Sequence, residues 1–112
     1  MISSSPFIHR SVFFSFINIT ANFRKLLARL PVEIRLQAAA AYRQFRQNPR
    51  HPGLQFKQIQ GSERLMSVRV NRDHRAVGVR VSPSEIVWYW IGGHDEYDKL
   101  LEKSLKSPNP IR

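Results

Sequence analysis

A chain of 112 residues supplies one domain with a modest core, and no disulfide framework, thiol nucleophile or cysteine-based zinc site is open to it, because it has no cysteine. Its 42% hydrophobic content suits a folded globular domain, whereas eighteen Lys and Arg against eight Asp and Glu leave a formal net charge of +10. That balance favours nucleic acid or an acidic protein as partner.

Thirteen of the eighteen cationic residues are Arg, whose planar fork matches phosphate and carboxylate geometry. The excess belongs to residues 1–94, with fourteen basic and four acidic side chains; residues 95–112 carry four of each. The cationic field is therefore expected on the body of the domain. His9, His51, His74 and His94 show no metal-ligand spacing, so no metal is expected.

Residues 1–10 read as a flexible, Ser-rich extension. The run Val12–Ile17 is too short and too interrupted for an export signal, and no stretch approaches a membrane span. A first strand is expected over Ser11–Ile19. Thr20 or Asn18 can cap the helix that follows, on which Phe23, Leu26, Leu27 and Leu30 form one apolar stripe. Pro31 either breaks that helix or opens a second one at its first turn, with Glu33 near the positive end of the second helix and Ile34, Ala38, Ala41 and Phe45 as its buried face. Arg35, Arg43 and Arg46 share another side of it, within roughly 80° by the helical period.

The two prolines and the glycine of residues 48–53 stop that helix, and a strand is expected over Leu54–Ile59. Leu65–Val70, Arg75–Val81 and Glu85–Ile91 read as three further strands joined by short turns. Met66, Val68 and Val70 alternate with Ser67 and Arg69, which predicts one apolar face and one polar face. Trp88 and Trp90 are expected on a common face. Gly92 and Gly93 are expected to end the sheet, with His94 just beyond it. Tyr97, Leu100, Leu101 and Leu105 mark a last amphipathic helix, and residues 107–112 a flexible tail.

The order predicts an α+β domain over residues 11–106, with a helical hairpin, a mainly antiparallel sheet of four or five strands and a C-terminal helix. The polar side of the sheet, with His94 at its rim, is the expected site. Lys57, Arg69 and Arg75 would face an anion there, although Arg75 could equally be a buried arginine paired with Asp73 or Glu63. Such groups suit cleavage of RNA by its own 2′-OH, which needs a base, cations for the phosphorane charge and an acid for the leaving oxygen.

The helical hairpin FRKLLARLPVEIRLQAAAAYRQFRQNP, then HPGLQFKQIQG, SVRVNRDHRAVGV and IVWYWIGGHDEYDKLL, together resemble the RelE/ParE superfamily of type II toxin–antitoxin toxins over about residues 12–105. The resemblance implies a RelE/ParE-like fold in which the helical hairpin is packed on a curved, mainly antiparallel sheet. It also implies a cognate antitoxin as partner, action on mRNA at the ribosome in the cytoplasm, and neither metal nor small-molecule cofactor. His94 takes the place of the catalytic histidine of YafQ and HigB types; Arg69 and Asp73 fall in the segment that holds further catalytic residues, and Arg75 resembles a RelE-type phosphate-binding arginine. Tyr97 would assist. Lys57, Arg80, His74, His51, Arg43 and Arg46 are expected to contact RNA. Arg69 stands where the YafQ type would have histidine, and the paired lysines of RelE are not evident. The alternative implied by the same family is therefore a ParE-like inhibitor of DNA gyrase, or an inactive antitoxin-binding relative.

Overall fold

In the computed structural model, which describes residues 18–106, Thr20 opens the first helix. Its hydroxyl accepts from the Phe23 backbone N–H at 3.1 Å, satisfying a donor that helix α1 (Ala21–Ala28) would otherwise leave unpaired. Asn18 instead adopts a left-handed conformation, φ 63°. Pro31 then precedes helix α2 (Val32–Gln47), where the small residues Ala38 and Ala39 are buried and allow close approach to the sheet. The expected first strand lies mostly outside the described residues, as do 1–10 and 107–112; within it, Ile19 makes a parallel bridge to Trp88. Among the described residues no helix is long and apolar enough to cross a membrane.

The strand expected over Leu54–Ile59 is corrected. A single 3-10 turn, Pro52–Leu54, comes first, and strand β1 is only Lys57–Gln58. Pro52 pre-sets the turn's backbone, His51 Nδ1 caps it by accepting from Gly53 N at 3.1 Å, and Gln55 ends it at φ 45°, ψ 43°. Strands β2 (Leu65–Asn71), β3 (His74–Ser82) and β4 (Glu85–Gly93) follow, and the four-stranded antiparallel sheet runs β1-β2-β3-β4. Asn71 Oδ1 accepts from Asp73 N at 2.8 Å, closing the β2–β3 turn. Gly92 and Gly93 end the sheet as expected, as its last paired residues, opposite Arg75 and His74. Helix α3 (His94–Lys106) starts directly afterwards, and Glu96 Oε1 accepts from Gly93 N at 3.2 Å.

Both faces of the sheet are covered, so the polar face expected from alternation is mostly a second core. On one face the hairpin α1–α2 packs Phe23, Ala38 and Phe45 against Val68, Ala76, Trp88 and Ile91. On the other, Tyr97, Leu100 and Leu101 of α3 cover Leu65, Val77, Val79, Tyr89 and Trp90. The two tryptophans therefore do not share a face. Val77 pairs with Trp90 but Gly78 with Trp88, so the extra residue, Tyr89, shifts the register and reverses the alternation. Gly78 makes room for this: a Cβ there would lie 2.6 Å from Ile86 Cγ2 and 2.9 Å from Trp88 Cε3.

Candidate functional site

Antiparallel pairing decides which charged side chains meet. Arg69 on β2 is the direct partner of Arg75 on β3, so the two project from the same face as neighbours, their Cβ atoms about 5 Å apart. Lys57 pairs with Ser67, one row along that face and about 7 Å away along the strand. Arg75 in turn pairs with Gly92, two residues before His94. The face ends in guanidinium groups at the point where β4 gives way to α3.

Arg75 is the most constrained of these groups. Its Nε donates to Ser67 Oγ at 2.7 Å, Nη1 to Gln55 Oε1 at 3.2 Å and Nη2 to the Gln55 carbonyl at 3.1 Å. Its Cζ lies 5.6 Å from the centre of the Tyr97 ring, within cation–π range. The Tyr97 hydroxyl donates to the same Ser67 Oγ at 3.2 Å. Among the described residues neither Asp73 nor Glu63 bonds Arg75, so the expected acid partner is replaced by three neutral acceptors. Half-burial pushes the Arg75 pKa down; contact with Tyr97 opposes this and the neighbouring Arg69 adds to it. A guanidinium starts so far above physiological pH that the charge persists. The result is a partly dehydrated cation beside a second cation, which an oxyanion would relieve.

His94 is exposed at the first position of α3, one helical turn before Tyr97 and on the same side of the helix. Its Nε2 lies 3.7 Å from Asp98 Oδ2, an ion pair when the ring is protonated. Asp73 is exposed in the β2–β3 turn, and His74, bonded through Nδ1 to Asn71 Oδ1 at 3.1 Å, projects from the face opposite Arg75. His51 and Arg69 line one shallow cleft with Gln37, Gln44 and Asn71.

Arg80 and Arg46 do not join this group. They line a separate groove on the hairpin face with Tyr42, Phe45, Ile86 and Trp88, and Arg80 Nη1 donates to the Pro83 carbonyl at 2.9 Å. Arg43 is exposed on α2. Two residues enter the site that sequence reasoning missed. Ser67 is fully buried, and a lone hydroxyl at an inward strand position is a readable signal. Gln55 carries none, since its role arises from a turn conformation.

A search of curated proteins finds no match. Among solved structures, the toxin–antitoxin complex RelB–RelE of Methanococcus jannaschii matches with a TM-score of 0.58 and 18% identity, covering 72% of this chain and 95% of that one. That likeness concerns the fold. The model of the ParE-like toxin domain matches residues 32–99, more than half of the sequence. With its α+β order and antiparallel sheet, the chain belongs to the ParE-like toxins of the RelE/ParE superfamily.

Proposed function

We propose that the chain is the toxin of a type II toxin–antitoxin module and cleaves mRNA at the ribosome without a metal. The observation that carries this reading is the Arg69–Arg75 pair, two arginines directly opposite each other across β2 and β3 whose charge no carboxylate cancels among the described residues. They would hold the scissile phosphate and stabilise the charge of the phosphorane. Lys57 adds positive charge one row away. The 2′-OH gives up its proton and attacks phosphorus, and the bond to the 5′-oxygen breaks as that oxygen gains a proton. His94, exposed at the rim, serves as acid or base. Tyr97 braces Arg75. An antitoxin would neutralise the chain, and the RelB–RelE complex supports a partner of that kind.

Translation in vitro with mapped mRNA cuts tests the reading. The wild type should cut, and His94→Ala should cut at least ~100-fold more slowly. Unchanged cutting by His94→Ala removes His94 from the mechanism.

A second reading, inhibition of DNA gyrase, is favoured by the ParE-like family match and by the position of His94, which pairs with Asp98 rather than with the Arg75 network. Supercoiling by gyrase in excess protein separates the two: normal supercoiling rejects this reading.

A further inference from the structure

Gln55 holds a backbone conformation that side-chain-bearing residues rarely adopt, φ 45° and ψ 43°. Glycine or asparagine would fill such a turn with less strain. The surroundings fix the conformation from both sides. Gln55 N donates to the Pro52 carbonyl at 3.2 Å, Leu54 is buried in the core, and His51 caps the turn before it. In this conformation the Gln55 carbonyl and its side-chain Oε1 both reach one guanidinium, that of Arg75.

We propose that Gln55 is a positioning residue, a two-point clamp that with Ser67 fixes the Arg75 guanidinium to receive a phosphate oxygen of RNA. The role rests on the cleavage reading above. Three of the five N–H donors of Arg75 are used in being held by Gln55 and Ser67. The acceptors are neutral, so the arginine is immobilised without losing its charge. A carboxylate in the place of the Gln55 amide would immobilise it equally and cancel its attraction for phosphate. A held guanidinium also loses less freedom when the ligand arrives.

Gln55→Asn is the test. Asparagine accepts the left-handed backbone and keeps the carbonyl, but its shorter side chain does not reach Nη1. Thermal melting, the Arg75 Nε–H signal in ¹⁵N NMR of the free protein, and mRNA cutting in a translation reaction are measured together. The expected result is a melting temperature equal to or above the wild type, a broadened or shifted Arg75 Nε–H signal, and cutting reduced ~10-fold. Gln55→Glu should keep the Arg75 signal sharp yet also cut poorly. Wild-type cutting by Gln55→Asn overturns the clamp. So does slower cutting that comes with a lower melting temperature and an unchanged Arg75 signal, which assigns Gln55 to folding alone. A wild type that cuts no mRNA overturns the functional reading instead, and the clamp then stands or falls on the Arg75 signal.

Discussion

Arg69 and Arg75 face each other directly across β2 and β3, like charges at a position where opposite charges stabilise a sheet by about 0.2–1 kcal/mol and like ones destabilise it. The arrangement costs stability in the free protein and favours an anion between the two side chains. Inorganic phosphate should therefore raise the melting temperature of the wild type more than that of Arg69→Ala or Arg75→Ala, measured by differential scanning fluorimetry. Equal shifts in all three would mean that phosphate acts by general exclusion from the surface.

Ser67 accepts from both Arg75 and Tyr97 while fully buried. Ser67→Ala leaves those donors without their acceptor and should destabilise by about 1–3 kcal/mol in urea unfolding. Tyr97→Phe removes one bond and keeps the ring, so its effect should be nearer 1 kcal/mol.

The register shift at Tyr89 depends on Gly78. A methyl group there meets Ile86 and Trp88 at 2.6 and 2.9 Å, so Gly78→Ala should cost about 1–3 kcal/mol through overpacking. Trp88→Ala, which empties the centre of the hairpin-side core, should cost about 3–5 kcal/mol. Both values are read from denaturant midpoints with unchanged slopes.

Burial raises the Tyr42 pKa, and the Arg46 charge opposes it. The folded protein thus holds this proton more tightly than the unfolded chain, whose tyrosine ionises at about pH 10. The Tyr42 contribution is fully present below that value and is lost as pH rises through the higher folded value. Tyr42→Phe should flatten the alkaline decline of the melting temperature, and an identical decline in the variant would locate its cause elsewhere.

Local spacing carried much of the fold. The stripe Phe23, Leu26, Leu27, the Thr20 cap and the alternating runs of β2 and β3 depend on neighbours in sequence, and their elements formed where the pattern puts them. Three features depended on contacts remote in sequence. The split of Trp88 from Trp90 needs a register shift that only pairing with β3 creates. The burial of the second sheet face needs α3 to fold back over it. The loss of most of the Leu54–Ile59 strand follows from the turn that His51 caps.

The site was legible to the same degree. Arg69, Arg75 and Tyr97 come together because strand parity and the length of β4 bring them to one end of the sheet. Arg80 shares the strand of Arg75, but its parity sends it to the hairpin groove with Arg46. Charge alone did not distinguish the two arginines.

Cutting of a defined mRNA in a reconstituted translation reaction, compared between wild type, Arg75→Ala and Arg80→Ala, bears most directly on the phosphate-gripping role of the Arg69–Arg75 end of the sheet. The account predicts mapped cuts by the wild type, a loss of at least ~100-fold in Arg75→Ala and near-wild-type cutting in Arg80→Ala. Equal cutting by Arg75→Ala and the wild type would contradict it.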